Sequence, residues 1–349
     1  MSGPDPDFAA GTDLPRTEQA PARARLRQRP EDFQVEELPL VLPEGHGEHL
    51  WVRLRKRDHT TPEAAAALAD WAGVRPAAVG FAGLKDRRAV TTQWFSLHLP
   101  GRPDPDPGAF AVPGMCLLES GRHGRKLRRG VLRGNRFRLR LRAVAGDRDA
   151  IDHCLETIGR RGFPNYFGAQ RFGRNQANLG RAASWFAGRL RPGRAQRGYL
   201  LSAARALLFN QVLAARVLAG HWDQALTGDL MQFDGGGSLF LHDGSDASVP
   251  MRTAAGEVHP TGPLWGRGGR RPAAAAAEVE RAALAPLGDW CRALEGFGMT
   301  ADRRPLRARV RDLAWHWEDA ATLELDFTLG RGSYATMLVR EFCAVDGDG

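Results

Sequence analysis

Alternation of hydrophobic and polar positions marks both ends of this chain, and a helical period fills the stretch between them. Leu50, Val52 and Leu54 alternate with Trp51, Arg53 and Arg55, which predicts a strand. "VTTQWFSLHL" (90–99) predicts another. Phe137, Leu139 and Leu141 alternate with Arg136, Arg138, Arg140 and Arg142, a strand with one apolar and one basic face. "RLRQRPEDFQVEELPL" (25–40) reads as an edge-like strand after a loop, since Pro30 holds its predecessor extended. Thr60 and Glu63 stand at capping-box spacing with Pro62 between them, so a helix starts there, runs to about Trp71 and stops at Gly73. Lys85-Asp86-Arg87-Arg88 then falls at the bend between a short apolar run, "AVGFAGL" (78–84), and the strand at 90–99.

From about Asp147 the text turns helical and alanine-rich, with helices expected at 149–161, 175–188, 200–220 and 273–295, while 230–271 shows no clear period. Leu323, Leu325, Phe327 and Leu329 then restore strict alternation, followed by a glycine-rich turn and a short helix. A lone strand cannot satisfy its own edges, so this one must join the strands of residues 24–142. The expected organisation is therefore a discontinuous sheet domain, 23–160 plus 309–349, interrupted by a helical insertion at 161–308. Residues 1–22 read as a disordered lead-in.

Composition narrows the function classes. The 349 residues are 43% hydrophobic, enough for two cores, and no apolar run approaches the roughly 20 residues of a membrane span. The N-terminus has no apolar export segment, so a cytoplasmic protein is expected. Four dispersed cysteines and the loop-borne His46-Gly47-Glu48-His49 suggest neither a disulfide framework nor a metal site. The net charge is +9, and Arg122 to Arg142 holds nine arginines, one lysine and no acid. Such a stretch favours a polyanionic partner, with Arg122, Arg125, Lys126, Arg128, Arg129 and Arg133 as candidate RNA contacts.

Only three of the forty-nine Lys and Arg residues are lysines, yet Lys85 stands beside Asp86. An aspartate flanked by Lys85, Arg87 and Arg88 suits a nucleophile or an electrostatic stabiliser better than a general acid. A surface turn with a salt bridge is the plainer reading of a bare Lys-Asp pair; what argues against it is a flexible point charge kept where composition favours a planar fork. Asn135, Arg136 and Phe137 combine an amide, a guanidinium and a ring that could stack on a base, although Phe137 could equally be a core residue of its strand. "NYFGAQRFG" (165–173) reads as a packed turn between domains.

Lys85-Asp86-x-x-Ala89-x-Thr91-x-Gln93 preceded by Gly83, together with "RPEDFQVEE", "GNRF", "NYFGAQRFG" and "GSYATMLVRE" in this order, resembles the TruD family of tRNA pseudouridine synthases. The resemblance spans residues 25–343. It implies an α+β fold, a pseudouridine-synthase catalytic domain with a mixed, largely antiparallel sheet and flanking helices, interrupted by a mainly helical TRUD-specific domain. The activity implied is isomerisation of uridine to pseudouridine in tRNA, at position thirteen, with no cofactor and no metal; no obligate protein partner is inferred, and a monomer is expected. Asp86 takes the catalytic position, Phe33, Asn135, Phe137 and Tyr334 the substrate-binding ones. Arg27 stands where the family often has a lysine near the aspartate. A non-catalytic protein binding structured RNA on the same scaffold is the alternative, and the two differ at Asp86.

Overall fold

The computed structural model describes residues 14–346. In chain order the first part supplies β1 (Ala22–Arg25), β2 (Phe33–Pro39), β3 (His49–Arg57), α1 (Thr61–Trp71), β4 (Val79–Phe81), β5 (Val90–His98), β6 (Met115–His123), β7 (Leu132–Gly146) and α2 (Arg148–Arg161). The middle contributes β8 (Phe163–Pro164), α3 (Ala177–Phe186), α4 (Arg194–Leu218), β9 (Leu230–Phe233), β10 (Leu239–Leu241), α5 (Val249–Ala255), β11 (Val258–Leu264), α6 (Ala274–Leu284), α7 (Gly288–Gly296), β12 (Asp302–Pro305) and β13 (Arg307–Ala308). β14 (Val310–Asp319), β15 (Thr322–Gly330), α8 (Ala335–Phe342) and β16 (Cys343–Asp346) close the chain.

The main sheet runs β14-β15-β7-β2-β5-β3-β6, with β1, β16 and β4 attached at its margins. It is mixed and largely antiparallel; β2–β5 and β1–β16 are its parallel pairs. The C-terminal β15 lies against β7, with Phe327 opposite Phe137 and Leu325 opposite Leu139. Those residues, with Phe33, Val35 and the inner faces of α2 and α8, form one core. A second core packs α1 onto Leu50, Val52, Leu54, Phe95 and Leu97. The capping box forms as its sequence requires: Thr60 Oγ1 accepts from Glu63 N–H and the Glu63 carboxylate accepts from Thr60 N–H.

The middle segment has its own core, built on α4 with α3, α7 and the 165–173 turn. α4 is long and apolar enough to cross a membrane, but 72% of its most apolar window is buried within the fold, so it is a core helix. Where the middle segment leaves and rejoins the sheet domain, β8 and β13 pair antiparallel, Phe163 opposite Ala308. Gly162 at that crossing has φ +79, and a Cβ there would collide with the Ala308 carbonyl oxygen, so only glycine fits.

Several expectations are corrected. β2 is an interior strand between β7 and β5 rather than an edge. Its charged residues misled because they find partners across the sheet; Arg53 meets Glu36 at 2.5 Å. The helix expected over 273–295 is two helices, broken around Pro286, which supplies no amide donor. The unassigned stretch 230–271 and residues 302–305 form a four-stranded sheet, β10-β9-β11-β12. Of the lead-in expected over 1–22, residues 1–13 lie outside the described residues. From Leu14 the chain is seated: Leu14 is buried, and the backbone and hydroxyl of Thr17 both donate to Glu341.

The basic face of β7 is corrected most. Arg136 makes a two-pronged pair with Asp326 at 2.8 Å, Arg138 meets Asp326 and Glu324, and Arg140 meets Glu318 and Glu324. Arg142 binds Asp32. These four of the nine arginines that look uncompensated along the chain are thus paired across the sheet, and Arg122 is a fifth, paired with Asp104. The acids that meet the four come from β14, β15 and the "PEDF" turn.

Candidate active site

The loop 82–89 joins antiparallel β4 to β5 and is held from below by polar side chains of the sheet and α1. Thr61 Oγ1 accepts from Lys85 N–H at 2.9 Å and itself donates to Gln93 Oε1, while the Gln93 amide donates to Gly83 O at 3.3 Å. Thr61 and Gln93 are fully buried, so these bonds are shielded from water. The loop is consequently rigid where its side chains turn outward.

Asp86 projects from it with 46% of its side chain exposed, and Arg27 Nη2 donates to its Oδ2 at 2.8 Å. Arg27 has φ 61, a left-handed conformation that costs a side-chain-bearing residue free energy. That backbone turn lays its guanidinium over the Phe33 ring, 4.0 Å from the centroid, and within reach of Asp86. The departure from lysine at this position therefore keeps both a charge and a direct pairing.

Opposite Asp86 stand Asn135 and Phe137 of β7. Lys85 Nζ donates to Asn135 Oδ1 at 2.6 Å and pairs with Glu37 at 3.2 Å; the Lys85 side chain is only 6% exposed and that of Glu37 1%. Burial pushes the Glu37 carboxyl above its ordinary range, and Lys85 pulls against that shift. Phe137 stacks on Phe327 and meets Phe33 edge-on at 6.2 Å. Phe137 is a core residue of its strand, and its ring also lines the cavity beside Asp86.

These groups line a small cavity of about 150 Å³ closed on its far side by Ser333, Tyr334 and the start of α8. The insertion contributes Gln170 to the lining, and Arg171 donates to the Tyr334 hydroxyl at 2.8 Å. The 165–173 segment is a packed turn, as its composition suggests: Phe167 exchanges two backbone bonds with the Asn210 amide. Arg304 lies over the Phe167 ring and donates to Asn165 and to the Gly332 carbonyl, tying the insertion to the turn that carries Tyr334. Burial brings the Arg304 pKa down to about 10. The cavity adjoins a cleft of about 770 Å³ that shares Arg27, Gln170 and Thr336 and adds Arg16, Arg174 and Arg340.

The structure thus brings Phe33, Asp86, Asn135, Phe137 and Tyr334 into one cavity, with Arg27 and Lys85 as partners of Asp86 and Asn135. Among the basic candidates, Arg122 is taken up by Asp104 and by the carbonyls of Leu99 and Arg102, which leaves it a structural role. Lys126 caps the Ala77 carbonyl at 2.6 Å. Arg125, Arg128, Arg129 and Arg133 are exposed, and Gly130 N–H bonds to Ala82 O, so their loop lies beside the one carrying Asp86. Sequence reasoning missed Glu37, Lys56, Gln170, Arg171 and Arg304. For Glu37, Gln170 and Arg171 the signal was present, because all three lie within segments already singled out.

Asp32, fully buried, accepts two bonds from Arg142 (2.7 and 2.9 Å) and one from Arg29 N–H (2.9 Å), fixing the turn that presents Phe33 and Arg27. Replacing Asp32 by Ala is expected to cost about 2 kcal/mol of stability, the loss of charge-assisted bonds at a buried site, read as a lower denaturant midpoint at unchanged slope.

The family profile described as tRNA pseudouridine synthase D (TruD) matches residues 10–184 and 193–342. A protein named tRNA pseudouridine synthase D from Xanthomonas euvesicatoria pv. vesicatoria is 46% identical over 345 residues, 94% of each chain. Those of Azotobacter vinelandii and Methylococcus capsulatus are 47% and 43% identical, over 93% and 99% of this chain and 92% and 98% of theirs. A Methanosarcina mazei protein whose crystal structure carries the TruD designation shares the fold, with a TM-score of 0.74 over 98% of both chains at 20% identity. The match runs through both parts of the sheet domain and through the insertion between them, and on that ground the chain belongs to the tRNA pseudouridine synthase D (TruD) family.

Proposed function

We propose that this protein isomerises uridine to pseudouridine in tRNA, with Asp86 as the reacting carboxylate and residue thirteen as the target. The observation that carries the reading is the convergence, from five segments distant in sequence, of a half-exposed carboxylate, a guanidinium on it and a ring-floored cavity. The reaction breaks the N1 glycosidic bond, turns the free uracil and forms a bond from C5 to the same sugar carbon. It is atom-balanced without an external reagent: the proton lost from C5 is matched by one gained at N1.

The site's parts divide that task. Arg27 orients the Asp86 carboxylate toward the cavity. Phe33 and Phe137 offer a flat apolar floor, and the Asn135 amide, its oxygen held by Lys85, has no acceptor for its N–H groups among the described residues, which leaves them for a base edge. Tyr334, fixed by Arg171, bounds the other side. A base must leave its stack to reach this cavity, at a cost of a few kcal/mol that ring contact and phosphate-binding arginines offset. The adjoining cleft with Arg16 and Arg174, and the exposed Arg125, Arg128, Arg129 and Arg133, supply that charge. We also read the chain as two domains, with the paired β8 and β13 as the boundary of the insertion.

Mass-spectrometric mapping of pseudouridine in tRNA incubated with the purified protein tests the activity. The expected result is conversion at one position, and unmodified tRNA would overturn the reading. Neutralising Arg125, Arg128, Arg129 and Arg133 together is expected to weaken tRNA affinity and to flatten the plot of log affinity against log salt, by about one unit of slope for each phosphate that is no longer neutralised. An unchanged slope would remove this loop from the RNA interface.

A further inference from the structure

Lys56 is one of the three lysines of the chain, and it has no solvent exposure. It continues the inward row Leu50, Val52, Leu54 of β3. Lysine is almost never fully buried unless paired. Here the ammonium is held by two carbonyl oxygens, His59 O at 2.5 Å and Asp86 O at 3.3 Å, and among the described residues it makes no ion pair. Its stem therefore rises from the sheet to the underside of the residue whose carboxylate faces the cavity.

The Asp86 loop has three anchors of this kind. Gly83 O and Lys85 N–H are met by Gln93 and Thr61, both neutral; Asp86 O alone is met by a charge. A neutral donor could satisfy that carbonyl at far lower desolvation cost, as its neighbours show, so satisfying a backbone group does not account for an ammonium. Arginine would not substitute, because a planar fork needs more width than a single amine threaded between β3 and the loop.

We propose that Lys56 is a positioning residue for the isomerisation, pinning the Asp86 carbonyl from inside the sheet so that the carboxylate keeps its aim at the reacting uridine. The inference rests on the function read above. Burial brings the Lys56 pKa down to about 8, a shift that Asp86 and Glu63 of α1 oppose and Lys85 reinforces. Deprotonation leaves an amine, which binds a carbonyl more weakly than an ammonium does. The pin is therefore strongest well below pH 8 and loosens as pH rises through it.

The test is the single-turnover rate on tRNA from pH 6.5 to 9, kept below the ionisation of uridine itself, for the wild type and Lys56→Met. Hydrogen exchange of the 83–88 amides is followed over the same range. The wild-type rate should fall severalfold through pH 8. Lys56→Met, with tRNA affinity within about twofold, should run at least tenfold slower at pH 7 and lack that alkaline limb. A folded Lys56→Met variant within twofold of the wild-type rate, or a wild-type rate flat to pH 9, would overturn the proposal. Should Lys56→Met fail to fold, the wild-type profile and loop exchange decide: protection of 83–88 must drop above pH 8 beyond the intrinsic pH dependence, and constant protection refutes the pin. If the wild type converts no uridine, the function fails separately, and loop exchange still reads the pin.

Discussion

Asp86→Asn is expected to abolish pseudouridine formation, lowering the single-turnover rate by at least about 10³-fold, while tRNA affinity stays within a few-fold. Asparagine preserves the volume and one acceptor for Arg27 and removes the charge and nucleophilicity. The stability change should be small. The Arg27–Asp86 pair is partly exposed on both sides, 22% and 46%, and such pairs contribute about 0–1 kcal/mol. A thousandfold loss corresponds to about 4 kcal/mol of transition-state stabilisation, well beyond what loosened packing of this pair explains. A rate near wild type would remove Asp86 from the chemistry. Turnover by the wild type that is lost in Asp86→Asn while affinity is retained separates the two readings in one experiment.

The second large effect concerns Lys85. Its ammonium fits between Asn135 Oδ1 and the buried Glu37 carboxylate, where a guanidinium would have to displace one of them. Lys85→Arg is therefore expected to reduce turnover at least about tenfold with little change in tRNA affinity; equal turnover would make the lysine incidental. Lys85→Met leaves Glu37 buried without its partner, which costs about 3 kcal/mol at neutral pH. The pH dependence has a definite sign. Burial already raises the Glu37 pKa, so between its unfolded and folded values the native state binds more protons than the unfolded chain. Stability therefore falls as pH rises through that window. The Lys85→Met variant should regain stability relative to wild type when pH is lowered from 7 to 5, and a constant difference in denaturant midpoint would contradict this account of Glu37.

The alternations at 50–54, 137–141 and 323–329 and the capping box at Thr60 had local causes, side-chain period and end-satisfied backbone groups, and they were legible. So was the loop position of Asp86, because glycines and a strand bracket it. The row Leu50, Val52, Leu54 leads by the same period to Lys56, yet a lysine at the end of an apolar row reads as the strand emerging into water. Only the loop folded over it shows otherwise. Glu37 failed to stand out for a matching reason: on paper it is one of several acids beside Phe33, and its burial follows from β2 lying inside the sheet.

The arginines show the division most clearly. By itself the sequence determined which residues share a face, where the chain must turn, and that a strand near the C-terminus needs partners from the first half; these follow from backbone sterics and the two-residue period. It could not determine where charge is left over. Charge balance is set by neighbours across the sheet, and the acids facing Arg136, Arg138 and Arg140 lie some 180 residues away on β14 and β15. Only tertiary structure decided that these arginines are neutralised while those of the 125–133 loop stay exposed. The same holds for the site, since electrostatic and hydrogen-bond energies depend on distance in space, and Arg27, Lys56, Asp86, Asn135 and Tyr334 have no proximity until the sheet closes.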